Sequence, residues 1–228
     1  MKLDTRKITG TAMVSAIAYA VMLMGFHFVP AANYLKYEAK EVILTIGGFI
    51  YGPVAALAAA FIVAFAEMVT VSTTQFWGFI MNFFGAATFG GIASFVYKKA
   101  RTAKGAVVAL TLGSLAFTIV MLLLNYVVVP IYTGVSREII AGMLLPMYLP
   151  FNLVKAGLNS AFVLLLYKPL MTALRAARLL PADSGGPIDA GQRTGGSGFK
   201  LKINMGLLLC AVLLLVVCAC VIYFVFNK

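Results

Sequence analysis

Asn152 and Lys155 stand three residues apart in the run Pro150-Phe151-Asn152-Leu153-Val154-Lys155, at the start of a long apolar segment. That spacing puts an amide and an ammonium on one face of a helix, and Asn159 extends the same face by one turn. An ionisable side chain at the centre of a bilayer costs at least about 2.5 kcal/mol, so such a lysine faces a cavity, a counter-charge or a ligand. These groups supply amide donors and acceptors and one charge-assisted donor, which is the chemistry of recognition rather than of bond breaking. The candidate counter-charges are Glu41 and Glu67, and a plain structural ion pair with either is the alternative to a ligand.

The elements that position these residues belong to a membrane protein. Of the 228 residues 62% are hydrophobic and 11% charged, which excludes a water-soluble domain. The formal charge of +11 would suit nucleic acid only if Lys and Arg shared a folded polar face, and no such face is present. The excess reads as topology signal instead. Cys210, Cys218 and Cys220 all lie in the last apolar run with no His nearby, so neither a disulfide framework nor a metal site is indicated. An enzyme would need a nucleophile, a metal cluster or an acid-base pair, and His27 with scattered carboxylates supplies none.

Along the chain, basic residues Lys2, Arg6 and Lys7 precede an apolar run over 8–28 long enough to span. A polar interval with Lys36, Glu38, Lys40 and Glu41 follows, then apolar residues to Thr70, interrupted at Gly52-Pro53. Gly-Pro predicts a helix boundary. Two helices, 41–51 and 53–70, also return the basic loop over 98–104 to the side of the N-terminus, as the positive-inside rule requires. The first of the two is too short to cross alone and must be tilted, extended or covered by neighbours. Further helices are predicted over 77–97, 106–130 and 149–174, with an external loop over 131–148. Thirteen of the eighteen Lys and Arg then fall on the cytoplasmic side, the exceptions being Lys36, Lys40, Arg137, Lys155 and Lys228. The expected architecture is an all-α, multi-pass cell-membrane protein with a cytoplasmic N-terminus. It comprises a six-helix domain over 1–179, a Gly-rich linker over 180–202 and a seventh transmembrane helix over 203–226.

Depth counting gives Lys155 its neighbours. Asn125 lies five residues before Pro130 and Lys155 five after Pro150, so both sit about 7.5 Å inside the outer boundary. Glu41 begins the second helix and Glu67 ends the third at that same side, where Asn82 and His27 also fall, whereas the inner halves carry little beyond Ser and Thr. A polar cluster confined to the outer third describes a pocket opening outward. Trp77 and the tyrosines 34, 37, 126 and 148 have the aromatic belt as their plain reading.

Four short stretches now stand in register. They are Tyr34 to Val42, Gly47-Gly48-Phe49-Ile50-Tyr51-Gly52-Pro53, Leu124-Asn125-Tyr126 with Pro130, and Pro150 to Lys155. In order and spacing, across about residues 8 to 178, the chain resembles the riboflavin-specific S components, of the RibU type, of energy-coupling-factor (ECF) vitamin transporters. That family has Asp where Glu38 and Glu41 stand, and the linker and seventh helix depart from its six-helix pattern.

The resemblance implies a substrate-capture subunit that takes riboflavin from outside as its transported ligand, with no resident cofactor. Its partners would be a T component and two cytoplasmic ATPases, and the chain itself carries no Walker A motif. Family contacts carried onto this sequence put Ala12 and Ala16 of the first helix against the T component. The expected substrate-binding set is Asn125, Asn152, Lys155, Glu41, Asn159 and Glu67, with Glu41 near the mouth. A capture subunit for a different vitamin or small hydrophobic ring compound, and a non-transport membrane assembly protein, are the alternative readings.

Overall fold

The computed structural model describes residues 5–27, 35–176 and 205–226. The Gly-rich linker, Tyr34 and the His27 side chain lie outside the described residues. The helices are α1 (Thr5–Leu23), α2 (Lys40–Tyr51), α3 (Pro53–Thr70), α4 (Gln75–Lys99), α5 (Ala103–Thr133), α6 (Arg137–Met143), α7 (Leu149–Ala176) and α8 (Met205–Phe226). Between α1 and α2, Phe26–His27 (β1) pairs antiparallel with Lys36–Tyr37 (β2). The four stretches 53–70, 75–99, 103–133 and 137–167 are each long and apolar enough to cross a membrane.

The short α2 sits at the centre. Its twelve residues span about 18 Å. It packs against α1, α3, α4 and α7, and all its residues except Ile43 are buried. Cover by neighbours is therefore what allows so short a helix inside a bilayer. Gly52 separates it from α3 with φ +100°, a conformation glycine adopts without strain, and Pro53 then starts α3 where its missing N–H costs nothing.

Close approach around α2 depends on residues without bulk. A Cβ on Gly48 would collide with Ser94 of α4, and one on Gly47 would lie 2.6 Å from Val14 of α1. Gly48→Val is accordingly expected to destabilise the bundle by about 1–3 kcal/mol, read as a lower melting temperature in detergent. At the same end of the bundle Phe49 stacks on Tyr97 at 4.2 Å, and the Tyr97 and Tyr167 hydroxyls lie 3.1 Å apart. These rings fill the end of the bundle opposite the starts of α2 and α7.

Two boundaries differ from expectation. α1 stops at Leu23, and the chain turns through Gly25, where a Cβ would strike the Lys36 and Glu38 side chains. The predicted loop over 131–148 is instead mostly helical. Pro130 removes one helical N–H but does not end α5, which continues to Thr133 and closes at Gly134 with φ +72°. α6 and a π-helical turn over Leu144–Tyr148 then lead directly into α7. Burial of Ile140, Met147 and Tyr148 against Leu35, Val129 and Phe151 holds this segment on the bundle.

Candidate functional site

A cavity of about 240 Å³ opens at the end of the bundle where α3 and α5 finish and α4 and α7 begin. Lys36 and Glu38 line it from the approach to α2, Glu67 and Val71 from α3, and Met81 and Asn82 from α4. Met121 and Asn125 contribute from α5, and Phe151, Asn152 and Lys155 from α7. Amides and charges thus share the wall with thioethers and the Tyr132 and Phe151 rings.

The charges around the cavity balance. Lys40, 1% exposed, lies 2.5 Å from Glu38 Oε2 and 2.5 Å from Glu67 Oε2. Lys36 reaches Glu38 Oε1 at 3.2 Å, and Lys155 reaches Glu41 Oε1 at 2.9 Å. Asn82 Nδ2 donates to Glu67 Oε1 at 2.7 Å. Three ammonium groups therefore face three carboxylates, which are three of the chain's seven acidic residues. Burial pushes the Glu38 carboxyl up, but Lys40, Lys155 and Lys36 together outweigh it and hold that carboxyl below its ordinary range.

The asparagines are held differently from one another. Asn125 Nδ2 donates to the Met121 carbonyl at 2.7 Å, which leaves its buried Oδ1 with no protein partner. Asn152 Nδ2 donates to the Tyr148 carbonyl at 2.9 Å, and this bond sets the plane of its amide. Asn159 is buried off the cavity wall, where its Oδ1 accepts the Tyr37 hydroxyl at 3.0 Å. Burial, and then the Glu41 carboxylate, raise the Tyr37 phenol well above its usual range, so it remains a donor.

Of the residues singled out in the sequence, Asn125, Asn152, Lys155 and Glu67 line one cavity. Glu41 stands behind it holding Lys155, and Asn159 stands behind it holding Tyr37. Between the two candidate counter-charges the Lys155 partner is Glu41, while Glu67 is taken by Lys40 and Asn82. Lys40 and Glu38 were not singled out as site residues, although the alternation Lys36-Tyr37-Glu38-Ala39-Lys40-Glu41 is the densest run of mixed charge in an apolar chain. On α1, Ala12, Ala16 and Ala20 form an exposed line at four-residue spacing, and Gly10 is instead buried against Tyr51. No metal-binding cluster of His, Cys, Asp and Glu occurs among the described residues.

A solved structure reported as "Structure and mechanism of the S component of a bacterial ECF transporter" superposes with a TM-score of 0.64 at 28% identity. It covers 75% of this chain and 98% of that one. The family model for the ECF transporter, substrate-specific component, matches residues 6–167. The chain belongs to that family. It is a transporter subunit rather than an enzyme, and a multi-pass membrane protein. Riboflavin transporter FmnP of Bacillus subtilis is 30% identical over 198 residues, 78% of this S component and 100% of that protein. Riboflavin transporter RibU of Streptococcus thermophilus is 27% identical, covering 75% and 85% respectively. RibU of Staphylococcus aureus is 28% identical, covering 77% and 95%. The family match ends before α8 begins.

Proposed function

We propose that this S component captures riboflavin from the outer side of the cell membrane for uptake driven by a T component and two cytoplasmic ATPase subunits. The observation that carries the reading is the Asn125 carbonyl, a buried acceptor without a partner on a cavity wall that also presents Asn152 and Lys155. The pyrimidine edge of a flavin alternates carbonyl acceptors with an N–H donor. Asn125 Oδ1 takes that N–H, and Asn152 and Lys155 act at the neighbouring carbonyls. Met81, Met121 and Phe151 receive the apolar rings.

The names of the three relatives support riboflavin as the cargo. Charge balance around the cavity favours the neutral vitamin over its phosphate, because Lys36, Lys40 and Lys155 already have carboxylate partners. The basic turn from Lys98 to Lys104 and the start of α1 lie at the end of the bundle away from the cavity, which supports a cytoplasmic N-terminus and an outward-facing mouth. Exposure of Ala12 and Ala16 leaves a smooth face on α1 for the T component. Glu41 and Asn159 position Lys155 and Tyr37 rather than meeting the ring, and Glu67 contributes at the wall.

Asn125→Leu separates binding from folding. It removes an unpartnered buried acceptor, so stability is expected to hold or rise while riboflavin affinity falls about 2- to 10-fold. The function itself is tested by uptake of labelled riboflavin into cells expressing the complete transporter. Saturable uptake that excess unlabelled riboflavin abolishes is expected, and absence of transporter-dependent riboflavin uptake alongside uptake of another labelled vitamin would reassign the cargo.

A further inference from the structure

α8 lies outside the family match, yet it is packed into the back of the binding wall. It runs antiparallel to α7, with Cys218 beside Val154 and Gly157, and Leu214 one turn earlier sharing the wall of a cavity of about 230 Å³ with Gly157, Ser160 and Leu164. Ala211 and Cys218, two turns apart, are buried, and Leu214 and Leu215 between them are half-buried. Gly157 leaves the hollow that Cys218 fills, and the Cys218 thiol points at the Val154 carbonyl at 3.8 Å. On the other side of the same α7 turns stand Asn152 and Lys155 at the cavity and Asn159 against Tyr37. The two turns that carry these groups are therefore clamped between α8 and the site.

We propose that α8 is a permanent brace of the binding wall, holding Asn152, Lys155 and Asn159 in register throughout the transport cycle. The contact is an apolar knob in a glycine hollow with no charged residue on the described part of α8, so it contains no element that a change of charge would release. It also leaves the α1 face free, because α8 packs on α7 whereas α1 packs on α2 and α3. Bracing and partner docking are compatible. The proposal rests on the riboflavin-capture reading, and its test keeps the two apart.

Gly157→Cys in the full chain supplies a thiol opposite the native Cys218. A Cβ at 157 falls 2.8 Å from Cys218 Sγ, close to the separation that a disulfide with an S–S bond of about 2.05 Å imposes. Copper-phenanthroline oxidation in native membranes is expected to remove two thiols from maleimide labelling, leaving those of Cys210 and Cys220, and Gly157→Cys combined with Cys218→Ala is expected to keep its thiol at 157 labelled. The cross-linked protein is expected to bind and take up riboflavin within twofold of its reduced form. A wedge, Cys218→Phe, is expected to raise the riboflavin Kd and the uptake KM about tenfold with the maximal rate within twofold. Failure to cross-link, uptake lost on oxidation and regained on reduction while binding persists, or a wedge that binds like wild type would each overturn the brace. If the wedge does not fold, the cross-link comparison still decides. Absence of riboflavin binding by the wild type would instead defeat the functional reading.

Discussion

Lys40→Met is expected to destabilise the detergent-purified protein by about 3–5 kcal/mol, measured by thermal melting. Lys40 is 1% exposed and lies between Glu38 and Glu67, so its loss leaves two buried carboxylates without their common cation. Desolvation of ions is costly in such a place, and the network is tolerated because each charge meets another at short range. It ties the segment between β2 and α2, through Glu38, to α3 through Glu67 and to α4 through Asn82. Neutralising the partner as well, with Lys40→Met and Glu67→Gln together, is expected to recover part of the loss. A single variant as stable as wild type would mean that water or rearrangement already satisfies these groups.

Lys155→Ala is expected to weaken riboflavin binding roughly 10- to 100-fold, the equivalent of a charge-assisted hydrogen bond of about 1.5–3 kcal/mol. The same change strands Glu41, which is 2% exposed and whose Oε2 already lacks a partner. Stability is therefore expected to fall together with affinity. Glu41→Gln with Lys155→Met removes both charges and separates the two effects: folding is expected to recover and affinity to remain low. Wild-type affinity in that double variant would reduce Lys155 to a structural ion pair.

Much of this arrangement is written locally. Apolar run lengths placed the helices, Gly52-Pro53 divided α2 from α3, and counting from Pro130 and Pro150 set Asn125 and Lys155 at one depth, where they line one cavity. What remained hidden depends on how helices rotate against each other. Depth put Glu41 and Glu67 equally within reach of Lys155, and only the packing of α2 against α7 selects Glu41. Lys40 reads in sequence as one charge of a solvated interval, because Glu67, the partner that buries it, is 27 residues away. Asn159 follows Lys155 by one turn, yet Tyr37 of β2 occupies it behind the cavity wall. Pro130, Gly134 and Pro146 imitate a loop, and it is tertiary burial of Ile140, Met147 and Tyr148 that keeps the segment helical.

The cavity beside Asn125, Asn152 and Lys155 is proposed as the riboflavin site. Its most direct test is the absorption spectrum of the protein purified from cells supplied with riboflavin, followed by fluorescence-quenching titration after the ligand is stripped. Visible flavin bands, one flavin bound per chain, and roughly tenfold or weaker binding of the phosphorylated vitamin are expected. A colourless protein that quenches neither flavin, or one that binds the phosphate as tightly as the vitamin, would contradict that assignment.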